Sequence, residues 1–265
     1  MQPFNEVTFR SHLQSKHFGQ PCLTFNCIDS TNSEWARQLQ HDNPIFNREG
    51  ALIVAQSQQH GRGRLGRSWY NHHNSTLTMS ILLTPPETTP HICNIPLIVA
   101  VAIQQAFPEL SPLLAIKWPN DILYHQRKLA GILVERSQTA DYPHAIIVGI
   151  GINIHHPAHG YPDEISATAI ALNEISTTPI DISIAACRII ESLEHYYHQW
   201  LQEGFGPIQT LWWQAHAGSH RCIRAYDSER GYIDGIAVGL DLDGALLLQT
   251  TTSIERIIAG EVEIL

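Results

Sequence analysis

The stretch Gly61-Arg62-Gly63-Arg64-Leu65-Gly66-Arg67 decides between two kinds of fold. Its glycines match the spacing GxGxxG, which in a dinucleotide-binding fold opens a helix and precedes an acidic residue by about 20 positions. Here the polar and aromatic run from Ser68 to Asn74 follows, and then a strand predicted at Thr76–Leu83. Because no helix is predicted to begin at the loop, the sequence argues against a dinucleotide-binding fold. The Gly-Lys-Ser/Thr of a P-loop and the HRD and DFG segments of a kinase are also missing.

The arginines of this loop favour an anion site. Three of the sixteen basic residues lie between Arg62 and Arg67, although the chain carries a net charge of -9. Guanidinium groups bind phosphate or carboxylate bidentately, and glycines let the backbone approach a ligand closely. We expect the clustered like charges to keep the loop mobile until an anion binds. The alternatives are a solvated basic turn and a nucleic-acid patch, and the acidic balance elsewhere disfavours the latter.

Helices and strands are mixed around the loop, which predicts an α+β fold rather than a regular βαβ alternation. The predicted helices are Phe4–His17, Ser33–Gln40, Ile92–Phe107, Asp181–Gln202 and Pro207–His216. The predicted strands are Cys22–Cys27, Ala51–Gln56, Thr76–Leu83, Leu114–Lys117, Asp121–Tyr124, Lys128–Arg136 and Ala145–Ile152.

After Gly218 all the predicted secondary-structure elements are β-strands. Four short strands are predicted at Arg221–Tyr226, Gly231–Leu240, Ala245–Thr250 and Ser253–Ile258, with hairpin turns at Asp227–Arg230 and Asp241–Gly244. We therefore predict a large domain at residues 1–216 and a small β-barrel at residues 217–265.

Composition excludes several classes of protein. The five cysteines are odd in number and have no CxxC spacing, which predicts reduced and mostly buried thiols in a cytosolic protein. Neither a secretory signal nor an apolar run long enough for a membrane span is present. The sixteen histidines are scattered, and Gly218 between His216 and His220 disfavours a zinc-binding helix, so no protein-held metal is predicted.

Three further segments carry chemistry, and each is weak alone. Lys117-Trp118-Pro119-Asn120-Asp121 joins two predicted strands, and Lys128-Leu129-Ala130-Gly131-Ile132-Leu133-Val134-Glu135 places a cation before a buried strand. Gly149-Ile150-Gly151-Ile152-Asn153 puts two glycines on one strand face, which often marks a bend or a closely approaching ligand.

The chain resembles the biotin–protein ligases in the order of its motifs, which is Ser30-Thr31-Asn32, the arginine loop with Trp69, and then these three segments. That family includes the biotin–[acetyl-CoA-carboxylase] ligases, the holocarboxylase synthetases and the bacterial biotin ligase/repressor. The resemblance runs from about Cys22 to Ile264. It implies a mixed-sheet, class II synthetase-like catalytic domain, an SH3-like C-terminal barrel, a cytoplasmic location and a possible homodimer. Too few residues precede Ser30 for the winged helix-turn-helix of bifunctional relatives, so we expect a monofunctional ligase with neither DNA nor membrane as partner.

The resemblance also implies a reaction. Biotin and ATP, with Mg²⁺ carried by ATP, give biotinyl-5′-AMP, and biotin then passes to a lysine of a biotin carboxyl carrier protein, the acetyl-CoA carboxylase subunit. Charge neutralisation is the main need, because both first reactants are anions. The implied catalytic residues are Arg62, Arg64, Asp121 and Lys128. The implied biotin-binding residues are Ser30, Thr31, Asn32, Gln58, Gly61, Arg62, Arg64, Lys128 and Gly131. The implied ATP-binding residues are Arg64, Arg67, Trp69, Lys117, Asn120, Lys128 and Asn153.

Within this set, Trp69 would pack on adenine, and Asp121 would orient Lys128 or help deprotonate the carrier lysine. Two positions depart from the family. Leu65 stands where some relatives have a polar or basic residue, and the C-terminus lacks a basic residue that some relatives place after the last strand. The alternatives are a lipoate or octanoate ligase or transferase of the same fold, and a non-catalytic nucleotide-binding regulator.

Overall fold

Two sheets organise the protein, whose computed structural model describes residues 2–41, 46–137, 139–227 and 230–265. The larger is a seven-stranded mixed sheet of order β1-β2-β3-β7-β6-β5-β4, and the smaller is a five-stranded antiparallel sheet of order β11-β10-β9-β8-β12. This mixture of helices with a mixed sheet and a separate all-β part confirms the predicted α+β fold.

The strands of the large sheet are β1 (Cys22–Phe25), β2 (Leu52–Ala55), β3 (Thr76–Leu83), β4 (Leu114–Lys117), β5 (Asp121–Tyr124), β6 (Arg127–Arg136) and β7 (Ile146–Asn153). The helices are α1 (Glu6–His12), α2 (Thr31–Gln38), α3 (Ile95–Gln105), α4 (Asp163–Ser166), α5 (Ile182–Glu203) and α6 (Gly206–Ala215). The small sheet contains β8 (Cys222–Asp227), β9 (Gly231–Leu240), β10 (Leu246–Gln249), β11 (Ile254–Ile257) and β12 (Glu261–Ile264).

The two faces of the large sheet have different partners. Side chains alternate across a strand, so odd and even residues of β3 point to opposite faces. Leu77, Met79 and Ile81 pack into the main core, which also holds α3 and α5. Leu82 belongs instead to a second core with Trp35 of α2. Thr76, Thr78 and Ser80 therefore share the α2 face, and all three are buried.

The same alternation orients the glycines of β7. Ile150 and Ile152 pack into the main core, while Ile147 packs into the second core on the α2 face. Gly149 and Gly151 follow Ile147 at period two and so face α2. Two neighbouring strands thus present hydroxyls and bare backbone to the same side of the sheet.

Several predicted boundaries were wrong by a few residues. The first helix is shorter than Phe4–His17, and α2 begins at Thr31 instead of Ser33. The helix predicted at Ile92–Phe107 opens with a 3₁₀ turn and is α-helical only from Ile95 to Gln105. The small sheet gains a strand, β12, which was missing from the four predicted there. The turn predicted at Asp227–Arg230 includes Ser228 and Glu229, which lie outside the described residues.

The prediction for the cysteines was correct in one respect and wrong in another. All five are free thiols, as expected. However, only Cys22 and Cys187 are buried, whereas Cys27, Cys93 and Cys222 are exposed. They lie in the bend after β1, in the 3₁₀ turn Ile92–Asn94 and at the first position of β8, and periodicity did not predict their exposure.

His216 stabilises the connection between the two sheets. It ends α6 and stacks on Trp212, with ring centroids 4.6 Å apart, and its Nδ1 donates to the carbonyl of Ile116 at 2.9 Å. Burial lowers the pKa of the His216 imidazole to about 4, because a charged ring would lose its hydration there. The neutral ring is therefore part of the folded state.

This burial predicts a stability that depends on pH. The folded pKa lies below the ordinary value of 6.5, so the unfolded chain takes up a proton that the folded chain refuses. The stability contributed by neutral His216 is present above pH 6.5 and is lost as the pH falls towards 4. Between pH 7 and pH 5 we expect a loss of about 2 kcal/mol from this group. Urea unfolding at both pH values should show a correspondingly smaller loss for His216→Phe, and an equal loss in both proteins would refute the assignment.

Candidate active site

A cavity of about 490 Å³, including its open mouth, lies between α2, the arginine loop and the α2 face of the large sheet. Its lining joins residues from segments that are far apart in sequence. Of the predicted site residues, the lining includes Ser30, Thr31, Asn32, Gln58, Arg62, Arg64, Trp69, Asn120, Lys128 and Gly131.

One end of the cavity is a chain of hydrogen-bonding side chains. The backbone N–H and hydroxyl of Thr31 lie 2.8 and 3.2 Å from Gln58 Oε1. Ser80 Oγ lies 2.6 Å from Thr31 Oγ1 and 2.5 Å from Asn32 Oδ1. Gln58 therefore satisfies an N–H in the first turn of α2 that has no partner within the helix. The hydroxyl of Ser30, the N-cap residue, does not cap the helix.

A surface ion pair holds the turn that leads into α2. Arg37 donates to both carboxylate oxygens of Asp29, at 2.8 and 2.7 Å, and the Ser30 N–H donates to Asp29 Oδ1 at 2.7 Å. The hydrogen bonds from Arg37 hold the pKa of the Asp29 carboxyl well below its usual range. Asp29 stays ionised as a result, and the turn keeps Ser30 at the cavity.

The floor of the cavity consists of glycine backbone covered by an indole ring. Gly131 of β6 and Gly151 of β7 are directly paired. A Cβ on Gly151 would lie 2.6 Å from Trp69 Nε1, and one on Gly131 would lie 3.1 Å from Trp69 Cζ3. The glycines are needed because Trp69 lies flat against both strands. Similarly, a Cβ on Gly149 would lie 3.0 Å from Asn32 Cγ and closer still to its Oδ1.

Lys128 provides the cation at the other end. Its Nζ lies 2.6 Å from Asp121 Oδ1 and 5.7 Å from the centroid of the Trp69 ring. Lys128 and Asp121 are both only partly exposed, so this pair is screened less than one in bulk water. The predicted pairing of Asp121 with Lys128 is present.

A β-bulge is what turns Lys128 towards the cavity. Leu123 pairs with Lys128 while its neighbour Ile122 pairs with Ala130, so Leu129 is an extra residue in β6. In a regular strand, Lys128 and Gly131 would face opposite sides of the sheet, and the extra residue brings them to the same side. The bulged backbone is paired elsewhere, because the Lys128 N–H donates to the Thr168 carbonyl at 2.6 Å.

Two loop arginines reach the small domain. Arg64 donates to the Gly260 carbonyl at 3.0 Å and to Asn120 Oδ1 at 3.3 Å. Arg67 forms an ion pair with Glu261 at 2.6 Å. Burial lowers the pKa of the Arg64 guanidinium from its ordinary value, and the guanidinium stays charged. The small sheet therefore contacts the arginine loop through Gly260 and Glu261.

The remainder of the loop faces outward or back onto β6. Arg62 forms an ion pair with Glu135 at 2.8 Å. A 3₁₀ turn at Arg64–Gly66 is the only helical geometry in the loop, with positive φ at Leu65 and Gly66. No α-helix begins here, in agreement with the sequence argument. Leu65 is 72% exposed.

The other predicted site residues lie near the cavity without lining it. Lys117 pairs with Asp121 across the β4–β5 hairpin. Asn153 is buried and donates to the Ile170 carbonyl at 3.2 Å. Gly61 is buried beside Gln58 and Trp69. Their roles in ligand binding remain predictions.

Sequence reasoning missed Ser80 and Glu135, although both had a recognisable pattern. Ser80 is the last member of the polar alternation Thr76, Thr78, Ser80 within an otherwise apolar strand. Glu135 is an acidic residue near the end of a β6 segment rich in aliphatic residues. Both form hydrogen bonds with residues that line the polar end of the cavity.

Metal binding and membrane crossing have no support in the part of the chain that the structure describes. No group of three or more histidine, cysteine or acidic side chains there is close enough to hold a metal ion. Nor is any helix among those residues both long and apolar enough to cross a bilayer.

The arrangement as a whole can bind and activate a carboxylic acid. Hydrogen-bonding groups at one end suit a neutral polar head, and Lys128 with Arg64 at the other suits anions. Such a site brings a carboxylate and a phosphate together by neutralising both charges.

Comparison with known proteins agrees with this class of site. Residues 24–153 match the Biotin/lipoate A/B protein ligase family, and residues 223–265 match the Biotin protein ligase C terminal domain. The bifunctional ligase/repressor BirA of Bacillus subtilis is 32% identical over 261 residues, which cover 98% of this chain and 79% of the relative. The biotin–[acetyl-CoA-carboxylase] ligase of Paracoccus denitrificans is 30% identical over 227 residues, covering 80% of this chain and 89% of the relative.

The similarity extends to solved structures. The biotin protein ligase of Aquifex aeolicus, in complex with biotin and ATP, superimposes with a TM-score of 0.78 at 27% identity. The match covers 92% of this chain and 98% of that one. The chain belongs to the biotin protein ligase family.

Proposed function

We propose that the protein is an ATP-dependent biotin–[acetyl-CoA-carboxylase] ligase, which forms biotinyl-5′-AMP and transfers biotin to a lysine of a biotin carboxyl carrier protein. The observation that carries the proposal is the cavity, with the chain Gln58–Thr31–Ser80–Asn32 at one end and Lys128 at the other. A lipoate or octanoate ligase would bind a simple acyl chain, which gains nothing from buried hydrogen-bonding groups. The ureido head of biotin can satisfy them.

In the first reaction, a biotin carboxylate oxygen attacks the α-phosphorus of ATP and pyrophosphate leaves. Lys128, Arg62 and Arg64 offset the repulsion between carboxylate and phosphates and stabilise the negative charge that develops. Trp69 and Asn153 are assigned to the nucleotide, with Lys117, Asn120 and Arg67 on its phosphate side. Mg²⁺ would arrive bound to ATP.

In the second reaction, the carrier lysine attacks the acyl carbon and AMP leaves. The amine must lose a proton, and Asp121 is the carboxylate nearest to Lys128. Asp121 is therefore assigned two successive tasks, orienting Lys128 and then accepting that proton.

We divide the chain into a large domain at residues 1–216 and a small domain at residues 217–265, which shapes the site through Gly260 and Glu261. The helix before β1, α1, packs on α5, and we assign no DNA contact to the described residues there. Sedimentation with and without biotin plus ATP tests the homodimer expected from the resemblance.

The deciding experiment measures biotin-dependent exchange of pyrophosphate into ATP by the pure protein. Mass spectrometry of a biotin carboxyl carrier domain, incubated with enzyme, ATP and biotin, then tests the transfer. A non-catalytic nucleotide-binding regulator would support neither reaction. Exchange that requires lipoate or octanoate in place of biotin would overturn the choice of substrate.

Ligands should change the protease sensitivity of the arginine loop. Its arginines attach it to Glu135, Gly260 and Glu261, mainly through partly exposed ion pairs, which hold weakly. We expect trypsin to cut between Arg62 and Arg67 about tenfold more slowly with biotin plus ATP, because bound anions order the loop. Cleavage sites identified by mass spectrometry report this directly, and equal rates with and without ligands would contradict it.

A further inference from the structure

Glu135 connects the arginine loop to the polar end of the cavity. Its Oε2 accepts from Arg62 Nη2 and from Asn32 Nδ2, each at 2.8 Å. Arg62 belongs to the loop, and Asn32 belongs to the polar end of the cavity. One carboxylate oxygen therefore links the loop to a chain that continues through Ser80 and Thr31 to Gln58.

We propose that Glu135 is a positioning residue that fixes the donor and acceptor pattern presented to biotin. This inference rests on the proposed function for the identity of the ligand. It follows from the donor and acceptor of each hydrogen bond between Glu135 and Thr31.

Glu135, when ionised, can only accept hydrogen bonds, so the amide nitrogen of Asn32 must face it. Asn32 is 3% exposed, and the opposite orientation would place its carbonyl oxygen against the carboxylate. Asn32 Oδ1 then points to Ser80 and needs a proton from it. Ser80 has a single hydroxyl proton, so it donates to Asn32 and accepts from Thr31.

These hydrogen-bond directions determine which groups Thr31 and Gln58 offer to a ligand. Thr31 donates its own proton to Ser80, at 2.6 Å, rather than to Gln58 Oε1, at 3.2 Å, and the remaining lone pairs of Thr31 Oγ1 can accept hydrogen bonds from a ligand. Gln58 Oε1 is engaged by the Thr31 N–H at 2.8 Å, which leaves the Gln58 amide nitrogen as a donor. The cavity thus offers an acceptor at Thr31 and a donor at Gln58. A ureido group, with N–H groups beside a carbonyl, complements that pair.

The test compares two substitutions at Glu135 with a matched control. In Glu135→Gln, the amide oxygen can still accept from Asn32 and Arg62. In Glu135→Leu, the Asn32 amide nitrogen loses its acceptor at 2.8 Å and keeps only the Leu133 carbonyl at 3.3 Å, so the orientation of its carboxamide is held less firmly. Glu109 forms an ion pair of the same 2.8 Å length with Arg188, and neither residue lines the cavity, so Glu109→Leu is the control.

Biotin binding without ATP, measured by calorimetry, is the first readout. We expect the Kd to rise about 30-fold in Glu135→Leu and to stay within about threefold of the parent in Glu135→Gln and Glu109→Leu. Unchanged binding in Glu135→Leu would overturn the inference. Equal weakening in both Glu135 variants would also overturn it, because charge rather than hydrogen-bond orientation would then be responsible.

The second readout does not use biotin. The side-chain amide resonance of Asn32, assigned by its loss in Asn32→Ala, should move in Glu135→Leu and only slightly in Glu135→Gln. A protein that binds no biotin, but shows this change, would refute the proposed function and leave the role of Glu135 in positioning Asn32 intact. If the Asn32 resonance did not move in Glu135→Leu, the inference would be overturned regardless of which ligand the protein binds.

Discussion

Lys128→Ala is expected to slow formation of biotinyl-5′-AMP by about a thousandfold while weakening biotin binding less than about tenfold. Lys128 is the cation nearest to Asp121, and without it the carboxylate would face two anionic reactants with its charge uncompensated. The largest penalty falls on the transition state, where negative charge develops between carboxylate and phosphate. Single-turnover kinetics gives the rate, and calorimetry gives the biotin Kd.

Two further variants make this prediction specific. Lys16→Ala removes a lysine that does not line the cavity and whose backbone N–H donates to Glu194, so both quantities should stay unchanged. Asp121→Asn combined with Lys128→Ala should recover part of the adenylation rate, because it removes the uncompensated carboxylate. Equal losses in rate and in biotin binding would instead make Lys128 a residue of the binding pocket alone.

Gly149→Ala is expected to weaken biotin binding by at least about a hundredfold and to cost roughly 2 kcal/mol of stability. The added methyl group would collide with the Asn32 carboxamide, which is buried and bonded to Ser80 and Glu135. Asn32 must then leave its place, and the chain to Thr31 breaks. Urea unfolding and calorimetry measure the two effects.

The control for this prediction is Gly206→Ala, where a Cβ meets nothing within 4 Å. The double variant Gly149→Ala/Asn32→Ala provides a stricter check. Removing the Asn32 side chain relieves the collision, so stability should recover while biotin binding stays weak. Recovery of binding as well would show that Asn32 is dispensable and that the collision alone mattered.

Periodicity predicted much of the architecture near the site. The strand Thr76–Leu83 was predicted with its observed bounds, and the two glycines of β7 were correctly placed on one face. Both results follow from local patterns. Side chains alternate between the two faces of a strand, so a buried strand with different partners on its two faces shows a residue pattern of period two. The start of α2 was predicted two residues late, because Gln58, 27 residues along the chain, satisfies the N–H of Thr31.

The arginine loop shows the limit of such patterns. Its composition predicts a preference for anions, and nothing within it reveals that Arg64 meets Gly260, 196 residues away, or that Arg67 meets Glu261. These contacts depend on how the small domain packs against the large one.

The sequence by itself determined the order of the motifs, the α+β class and the residue types available to a site for anions and a polar head. Only the tertiary structure decided which side chains face one another. Lys128 reaches the cavity because a bulge at Leu129 changes the alternation of β6, and Glu135 links Arg62 to Asn32 across 73 and 103 residues of sequence. The direction of a side chain in a sheet depends on the strand register, and the register is set by pairing between strands. The order of residues in the sequence therefore does not determine which side chains face the cavity.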